Sequence, residues 1–292
     1  MKRAVVIGAT SMLAERLIEL LKSRGVGVFT SGRSRDHDVF VDLGSEHDIA
    51  LPDKVKADVL FNCAAAFGDD SPTGRWLNEK VNALGSYQVA EIAAAASCRS
   101  VINAGTVSSC ASTSRSALDS YGASKARGEE ILDWALGRSA ITFASLQLPQ
   151  LYDERGRCRT HQAWFGRMVA YASAGKVLRL PGGGAKRNFL HVIDAAKLMV
   201  AAGEKGLQGI FPACHPESES YESIANTAFE VFASGGGVEI AAEKRPFREV
   251  CIPASTGTFA AIGAYPEISM RQGLVMIKES GHAHAFGPLD VE

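Results

Sequence analysis

The sequence predicts an α/β fold: a doubly wound parallel sheet followed by a smaller, mixed domain. Apolar runs of strand length alternate with helical stretches in the first half, and these runs are continuously apolar. Such strands are typical of a parallel sheet that helices cover on both faces. After about Leu148 the alternation is lost, and glycine, proline and charged residues become frequent. We therefore expect one domain over residues 1–150 and a smaller one over 151–292, with 187–213 returning to the first.

The elements of the first domain follow from local patterns. Short apolar runs predict strands at residues 4–7, 26–30, 39–41, 58–63, 100–104 and 140–146. Apolar residues at helical spacing predict helices at 11–24, 76–96 and 120–136. In the second domain, short helices mix with isolated strands, such as one at 209–213.

Composition and charge exclude several functional classes. The 292 residues include 31 basic and 32 acidic side chains, so the basic excess of a nucleic-acid-binding protein is lacking. No apolar run is long enough to span a membrane, and the N-terminus lacks the pattern of a cleaved signal peptide. The six cysteines are scattered without a CxxC pair, which argues against a metal site or a disulfide framework. We expect a cytoplasmic protein with no nucleic-acid, membrane or metal partner.

The turn after the first strand is a candidate phosphate-binding loop. It runs through Gly8-Ala9-Thr10-Ser11-Met12-Leu13-Ala14 into a helix. A dinucleotide pyrophosphate needs a tight turn, little side chain and the amides of a helix N-terminus at this place. Gly8 supplies the turn, Ser11 leaves room for a phosphate, and Ala14 lets helix and strand pack closely. Only one of the three glycines expected for this motif is present, so an ordinary strand-to-helix turn is the alternative.

The end of the second strand indicates which dinucleotide would bind. An acidic residue there would accept hydrogen bonds from the ribose hydroxyls of NAD, whereas Arg33 suits the 2′-phosphate of NADP. The preferred prediction is therefore NADP, with NAD as the other candidate. Solvated loop charges are the alternative interpretation of Arg33 and Arg35. Asp42, after the third strand, is placed either to meet the adenine or to form a turn.

A candidate catalytic pair lies at the start of the third predicted helix. Tyr121 and Lys125 are four residues apart, which places them on one face of a helix. The preceding strand ends at Thr106, at the sheet edge where open α/β folds bind ligands. Hydride transfer at a carbinol carbon requires a proton to move at the oxygen, and a tyrosine with a pKa near ~10 is a poor base at neutral pH. We expect the Lys125 ammonium, helped by an oxidised nicotinamide, to favour the Tyr121 phenolate, and the Thr106 hydroxyl to position the same substrate oxygen.

Together these motifs resemble the extended short-chain dehydrogenase/reductase family, the NAD(P)-dependent nucleotide-sugar epimerases, dehydratases and reductases with a Rossmann domain. Further segments carry the resemblance: Asn62-Cys63-Ala64-Ala65, Val81-Asn82-Ala83-Leu84-Gly85, Leu148-Pro149-Gln150-Leu151-Tyr152 and Arg187-Asn188-Phe189-Leu190-His191-Val192-Ile193-Asp194. They are similar to the family's Asn/His-x-Ala-Ala, Asn-x-x-Gly, Pro-x-Asn-Val-Tyr-Gly-Pro and Arg-Asp-Phe-x-His-Val-x-Asp stretches.

The resemblance implies an oxidoreductase or epimerase with Thr106, Tyr121 and Lys125 as catalytic residues. It implies cofactor contacts from Gly8, Thr10, Ser11, Met12, Leu13, Ser31, Arg33, Asp42, Leu43, Cys63, Ala64, Ala65, Asn82, Tyr121, Lys125 and Leu148. It implies substrate contacts from Ala66, Thr106, Gln150, His161 and Arg187, with Gln162 and Phe165 in the same segment as His161. In the family, the arginine matching Arg187 often meets the diphosphate of a nucleotide sugar. We interpret His191 as a packed, hydrogen-bonded histidine, with a substrate contact as the alternative. We interpret Trp76 and Trp164 as packing or subunit-contact residues.

The sequence also departs from the family pattern. Gln147 stands where arginine is common, Asp153 where glycine is common, and Val107-Ser108 where sugar 4,6-dehydratases carry Asp-Glu, which argues against that reaction. Three hypotheses remain: an NADP(H)-dependent reductase of a nucleotide-linked keto-sugar, a nucleotide-sugar epimerase with tightly held NAD, and a dinucleotide-sensing protein without turnover. The family further implies a homodimer formed through the helices 76–96 and 120–136.

Overall fold

The computed structural model describes residues 1–46, 49–110, 118–247, 249, 252 and 256–289. The chain divides into two compact units. The first unit comprises Met1–Leu148, Ala196–Ala213 and Ser255–Tyr265, and the second comprises Pro149–Ala195, Cys214–Ala254 and Pro266–Glu292. Of the segment predicted to return, Ala196–Ala213 thus lies in the first unit and residues 187–195 lie in the second. Residues 255–265, which the prediction assigned to the second domain, lie in the first unit.

Strands and helices alternate along most of the chain. The strands are β1 (Arg3–Ile7), β2 (Gly27–Gly32), β3 (Val39–Val41), β4 (Ile49–Ala50), β5 (Val59–Asn62), β6 (Ser100–Thr106), β7 (Thr142–Leu148), β8 (Gln150–Tyr152), β9 (Val177–Pro181), β10 (Lys186–His191), β11 (Gly209–Pro212), β12 (Ser218–Ser220) and β13 (Gly237–Ala241). The helices are α1 (Met12–Ser23), α2 (Pro72–Asn78), α3 (Gly85–Ala95), α4 (Ser120–Gly137), α5 (Ala163–Ala174), α6 (Val192–Lys205), α7 (Tyr221–Phe232), α8 (Thr256–Ile262) and α9 (Met270–Ser280). A π-helical stretch, Glu79–Leu84, joins α2 to α3.

The first unit is built on a doubly wound sheet. In the described part of the chain, eight strands form this sheet in the order β11-β7-β6-β5-β1-β2-β3-β4. Neighbouring strands are parallel, except that β3 and β4 are antiparallel. The strand order reverses between β1 and β5, whose register pairs Ile7 with Asn62 at their carboxyl ends. Such a reversal is where open α/β sheets bind ligands. The predicted doubly wound α/β fold is confirmed.

The core of this unit follows from its continuously apolar strands. Val5 and Val6 in β1, and Leu60 and Phe61 in β5, are fully buried. Since adjacent residues of a strand point to opposite faces, both faces of the sheet are covered. Both faces are thus unavailable to a ligand, and the carboxyl edge of the sheet is the expected binding site. Polar residues lie there, because Asn62 ends β5 and the Asn103–Thr106 segment ends β6.

The single helix predicted at residues 76–96 corresponds to α2, the π-helical stretch and α3. The observed helix α2 begins at Pro72, after Ser71, whose hydroxyl accepts a hydrogen bond from the Gly74 amide at 3.1 Å. Serine before proline is a recognised helix start, which the prediction misses because it relies on apolar spacing, and residues 72–75 carry none. Strand β4 is also missed, since two residues are too few to carry a periodic pattern.

The second unit has an aromatic core. Its described strands form small sheets in the orders β12-β10-β8 and β13-β9. The ring of Tyr152 lies 5.0 Å from that of Phe165 and 6.4 Å from that of Phe189. His191 is fully buried, with its ring edge-to-face against Tyr152 and its Nδ1 accepting from the Ile193 amide at 3.3 Å. This matches the interpretation of His191 as a packed, hydrogen-bonded side chain. Among the described helices of the chain, none is long and apolar enough to cross a membrane.

Candidate active site

The turn from β1 to α1 packs directly on the segment that follows β5. Gly8 has a φ of +75°, and a Cβ at this position would lie 2.8 Å from the Ala64 nitrogen. Only glycine fits both the conformation and the close approach. The Gly8 and Ala9 amides donate to the Ser31 carbonyl at 2.9 and 3.1 Å, which ties the turn to the end of β2. The sheet reversal thus brings the ends of β1, β2 and β5 to one place.

Helix α1 begins at this turn and offers its N-terminal amides there. The Ser11 hydroxyl caps the helix by accepting from the Ala14 amide at 3.2 Å. The positive end of the helix dipole and the remaining amides favour a phosphate group. The Leu13 side chain is buried in the core, so any cofactor contact of Leu13 would involve its backbone. Thr10 is exposed and Met12 half-buried at the start of the helix.

The end of β2 provides candidates for the adenosine part of a dinucleotide. Ser31 is fully buried, and its Oγ makes no hydrogen bond to the described residues. Arg33 is exposed and likewise has no hydrogen-bond or ion-pair partner among the described residues. Arg35 differs, since its guanidinium lies over the Phe40 ring, 4.4 Å from the centroid. An unpartnered buried hydroxyl beside an unpartnered guanidinium fits a phosphorylated ribose.

The Asp42 carboxylate is used within its own turn. Its Oδ1 accepts from the Gly44 amide at 3.0 Å, and its Oδ2 accepts from the Ser45 hydroxyl at 3.4 Å. The sequence allowed Asp42 either to contact the adenine or to form a turn, and the hydrogen bonds of the turn are present in the structure. Leu43, which follows it, is buried. Contacts of Asp42 and Leu43 with adenine remain predictions.

The segment after β5 carries small side chains and a buried thiol. Asn62 ends the strand and donates from Nδ2 to Oδ1 of Asn103 at 2.9 Å. Cys63 is buried, and burial raises the pKa of its thiol to about 12. Ala64 and Ala65 are half-buried beside the Gly8 turn, where they leave space at the sheet edge. Leu148, at the carboxyl end of β7, is buried.

The proposed catalytic residues converge at the carboxyl end of β6. Asp119 caps α4 by accepting from the Gly122 amide at 2.7 Å, so Tyr121 lies in the first turn and Lys125 one turn later. The Thr106 hydroxyl, on the last residue of β6, lies close enough to the Tyr121 phenol to lower its pKa. The Lys125 ammonium donates to the Ala104 carbonyl at 2.8 Å. A proton donor or acceptor and a hydroxyl partner thus face the same edge of the sheet.

The surroundings of Tyr121 shift the pKa of its phenol upward. Burial raises this pKa, the negative charges of Asp119 and Glu129 add to the shift, and the nearby Thr106 hydroxyl opposes it. Lys125 is buried one helical turn after Tyr121. Its ammonium is held by the Ala104 carbonyl, and its charge interacts with Glu129 and Cys63. The expectation that Lys125, helped by an oxidised nicotinamide, favours the Tyr121 phenolate stays a prediction.

Glu129 is a site residue that the sequence analysis misses. It lies one turn beyond Lys125 on the same face of α4 and is buried. Its carboxylate accepts from the Ser145 hydroxyl at 2.6 Å, from Gln147 Nε2 at 3.2 Å and from the Ser109 hydroxyl at 3.3 Å. Burial raises the pKa of this carboxyl and lowers that of Lys125, and the attraction between the two charges opposes both shifts. The spacing Tyr121, Lys125, Glu129 is the signal that could have found it.

Asn82 lies in the π-helical stretch and is bonded to the protein. Both hydrogens of its amide have protein acceptors, the Ala66 carbonyl at 2.9 Å and the Ser124 hydroxyl at 3.1 Å. A Cβ at Gly128 would collide with the Asn82 carbonyl, so this glycine lets α4 approach the π-helical stretch. A cofactor contact of Asn82 remains a prediction, whereas its role in holding Ala66 is seen directly.

The substrate-contact candidates of the second unit lie around one pocket and one helix start. Arg187 lines a pocket with the residues Tyr152, Phe189, His215, Glu217, Glu219, Ile268 and Met270. Its Nε is buried without a hydrogen bond to the described residues, and its guanidinium lies 5.9 Å from the Tyr221 ring centroid. The Tyr221 hydroxyl donates to Gln150 Oε1 at 3.5 Å. These contacts leave the Arg187 Nε with hydrogen-bonding capacity to offer an anion.

The candidates around the start of α5 differ in exposure. His161 is exposed in part, and burial lowers the pKa of its imidazole. Gln162 precedes the helix. Phe165, within α5, is fully buried against Tyr152, so any substrate contact of Phe165 would involve its backbone. Trp164 packs edge-to-face on Phe247 at 5.1 Å.

The chain matches one protein-family model in sequence and several solved structures in fold. The family model described as "NAD dependent epimerase/dehydratase family" matches residues 4–211. No curated protein matches the chain in sequence. Among solved structures, UDP-N-acetylglucosamine 4-epimerase from Bacillus cereus is 18% identical over 100% of this chain and 99% of its own, with a TM-score of 0.76. RMD from Pseudomonas aeruginosa, complexed with NADPH, is 15% identical over 97% and 100%, with a TM-score of 0.79. WbmF from Bordetella bronchiseptica, complexed with NAD+ and UDP, is 16% identical over 97% and 94%, with a TM-score of 0.76.

Proposed function

The chain belongs to the NAD dependent epimerase/dehydratase family, and from that premise we propose that it reduces a keto group on a nucleotide-linked sugar with NADPH. The resemblance to extended short-chain dehydrogenases/reductases stated from the motifs is confirmed by this membership. The protein is accordingly an enzyme of the NAD(P)-dependent type. The direction of the reaction, the sugar and the choice of NADP over NAD are parts of the proposal.

One observation carries the proposal: Tyr121 and Thr106 lie together at the carboxyl end of β6, where the Lys125 ammonium donates to the Ala104 carbonyl at 2.8 Å. A ketone that receives a hydride at carbon needs a proton at oxygen. A free tyrosine is already protonated at neutral pH, and burial raises the pKa of the Tyr121 phenol further, so the phenol has a proton to give to the substrate oxygen. The Thr106 hydroxyl, close to the phenol, would position that oxygen. A proton donor that is protonated at rest suits reduction.

The dinucleotide-binding residues fit the proposed cofactor. When bound, the dinucleotide supplies the hydride. The Gly8 turn and the first amides of α1 would hold its pyrophosphate, and Ser31 and Arg33 its phosphorylated ribose. The buried Ser31 Oγ and the exposed Arg33 guanidinium, neither bonded to the described residues, support NADP over NAD. The RMD structure, solved with NADPH, shares this fold.

The proposed substrate rests on Arg187 and on the similar structures. WbmF was solved with UDP, and the Bacillus cereus protein is named for a UDP-sugar. The Arg187 guanidinium would pair with a diphosphate, while Gln150 and His161 would contact the remainder of the nucleotide sugar. Ala66 and Thr106 are the proposed substrate contacts of the first unit.

A nucleotide-sugar epimerase is the second candidate, favoured by the name of the Bacillus cereus protein. In that reaction Tyr121, as the phenolate, would take a proton from the substrate hydroxyl while the bound dinucleotide would take the hydride. Both would be returned to the sugar after the ketone has rotated in the site. The dinucleotide would then be retained rather than exchanged. A sensing role without turnover lacks support, since Tyr121, Lys125 and Thr106 are all present at one sheet edge.

We further propose that the protein is a homodimer formed through an aromatic face on α2–α4. This α2–α4 face consists of the exposed side chains Trp76, Leu77, Leu84, Tyr87 and Trp134. Trp76 and Trp134 expose 63% and 59% of their surface, and Tyr87 packs edge-to-face on Trp134 at 6.3 Å. An exposed apolar patch of this kind is typical of a subunit interface. A second copy of the chain is the proposed partner. The proposed location of the protein is the cytoplasm.

The identity of retained dinucleotide distinguishes the two enzyme candidates. Purified protein is denatured, the supernatant is analysed for NAD and NADP, and the native protein is then assayed for NADPH oxidation with nucleotide-linked keto-sugars. Protein that is free of dinucleotide and oxidises NADPH supports the reductase. Stoichiometric NAD together with interconversion of UDP-hexoses supports the epimerase and contradicts the reductase.

A further inference from the structure

The loop after β5 is held by two asparagine side chains that make the same set of bonds. Asn82 accepts at Oδ1 from the Ala66 amide at 2.8 Å and donates from Nδ2 to the Ala66 carbonyl at 2.9 Å. It also donates to the Ser124 hydroxyl at 3.1 Å. One side chain therefore holds both backbone polar groups of a loop residue and joins that residue to α4.

Asn78 repeats this arrangement one helical turn earlier. It accepts from the Gly68 amide at 2.7 Å and donates to the Gly68 carbonyl at 2.9 Å and to the Ser120 hydroxyl at 3.0 Å. Asparagine is unfavourable inside a helix, and both of these are buried there. Their hydrogen bonds offset that cost by fixing the loop at two points.

Phe67 is the residue between the two fixed points. Its ring stacks on the Tyr121 ring, with centroids 4.9 Å apart and an interplanar angle of 21°. Tyr121 in turn lies between Ser120 and Ser124, the two serines that the asparagines bind. Phe67 nevertheless exposes 54% of its surface. A large aromatic side chain is thus held beside the proposed proton donor while much of it faces solvent.

We propose that Phe67 is a specificity-determining residue that covers one side of Tyr121 and lies against the carbon skeleton of the substrate. Asn78 and Asn82 are positioning residues that hold it there. The substrate oxygen must come within hydrogen-bonding distance of the Tyr121 hydroxyl, so the neighbouring substrate carbons come close to the Phe67 ring. The ring excludes water from the phenol and offers an apolar surface to those carbons. The part of this inference that concerns substrate rests on the proposed function.

The chain offers a matched control for this residue. Tyr265 exposes 53% of its surface and packs on the buried Phe259 with ring centroids 5.2 Å apart. Tyr265→Ala therefore removes an exposed ring that packs on another aromatic ring, as Phe67→Ala does, but the partner ring is Phe259 and not Tyr121. Phe67→Leu keeps an apolar cover and serves as the conservative variant. Asn78→Ala frees one end of the loop without changing the Phe67 side chain.

The first experiment needs no substrate. Ionisation of Tyr121 is followed by the ultraviolet absorbance of its phenolate as the pH is raised. For each variant, the absorbance of the same protein carrying Tyr121→Phe is subtracted, so that only the Tyr121 signal remains. Burial raises the pKa of this phenol, so Phe67→Ala should bring the pKa down toward that of free tyrosine, whereas Tyr265→Ala should not. Phe67→Leu should lie between. An unchanged titration in Phe67→Ala would overturn the shielding role, whatever the substrate is.

The second experiment uses NADPH oxidation with a UDP-linked 4-keto-hexose, or UDP-glucose interconversion if the protein is an epimerase. Loss of one aromatic contact should raise KM about tenfold in Phe67→Ala, with recovery in Phe67→Leu. Asn78→Ala should raise KM in the same direction, because the ring is no longer fixed. Wild-type KM in Phe67→Ala overturns the specificity role, as does an equal rise in Tyr265→Ala. A wild-type protein inactive on both probes contradicts the proposed function, and the phenolate titration still decides the shielding role.

Discussion

Glu129 lies one helical turn after Lys125 on the same face of α4, and both side chains are buried. The Glu129 carboxylate interacts with the charge of Lys125, and its hydrogen-bond partners are neutral donors from Ser145, Gln147 and Ser109. Gln147 stands where the family often has arginine, so a second positive charge is lacking at that position. The Lys125 ammonium therefore depends on Glu129 to compensate for the cost of its burial.

Replacing Glu129 with glutamine should move the pH dependence of activity. Burial lowers the pKa of Lys125, and Glu129 raises it. Without that carboxylate the pKa falls further, the ammonium is lost at lower pH, and the alkaline limb of kcat/KM moves toward acid. At neutral pH we expect a loss of about 10–100-fold, the size expected when a nearby opposite charge that favours the ammonium is removed. The pH–rate profile is the measurement, and Glu130→Gln, at an exposed neighbouring position, is the control. An unshifted profile in Glu129→Gln would contradict this account.

Tyr121→Phe removes one hydroxyl and keeps the ring on Phe67, so stability should change little. If Tyr121 transfers the proton, turnover should fall by about two to four orders of magnitude. Dinucleotide affinity should remain close to that of the wild type. Thr106→Ala should cost less, because water can partly replace a hydroxyl that positions the substrate. Steady-state kinetics and fluorescence titration with NADPH test both statements, and a Tyr121→Phe enzyme with most of its turnover would rule out the mechanism.

The fold was accessible from sequence because its signals are local. Continuous apolar runs mark β1 and β5, and the turn at Gly8 follows directly from the first of them. The Tyr121–Lys125 spacing could also be found locally. Glu129 was less accessible, because a carboxylate in a helix is usually solvated, and its burial depends on Ser145 and Gln147 from a different strand.

The asparagine pair illustrates what the sequence could not indicate. Asn78 and Asn82 look like breaks in an amphipathic pattern, and a helix prediction treats them as unfavourable. Their partners, Gly68 and Ala66, lie ten and sixteen residues away. Only the folded loop shows that these amides meet backbone groups rather than water.

Cofactor preference should depend on Arg33 and not on Arg35. Arg33 has no partner among the described residues, whereas Arg35 packs on Phe40. Arg33→Ala should weaken NADPH binding by about 1–3 kcal/mol, the range of a charge-assisted hydrogen bond, and leave NADH binding nearly unchanged. Arg35→Ala should affect the two dinucleotides equally. Calorimetric titration with NADPH and NADH measures this, and equal losses for both in Arg33→Ala would contradict a 2′-phosphate contact.

A charge placed on the α2–α4 face should separate the proposed dimer. Trp134 is 59% exposed, with Tyr87 against its edge and the Arg138 guanidinium 5.4 Å from its ring centroid. In a two-fold interface each substitution occurs twice, and burying a carboxylate without a partner is costly. Removal of such an aromatic anchor alone typically costs about 2 kcal/mol or more, so Trp134→Glu should raise the dimer dissociation constant by at least about 30-fold. By light scattering at micromolar concentration, the wild-type protein should have twice the chain mass of 31.0 kDa, and Trp134→Glu should have a mass closer to that of one chain. Tyr265→Glu, at a similarly exposed position outside the face, should leave the dimer intact. A wild-type mass near that of one chain would show that this face does not join two copies.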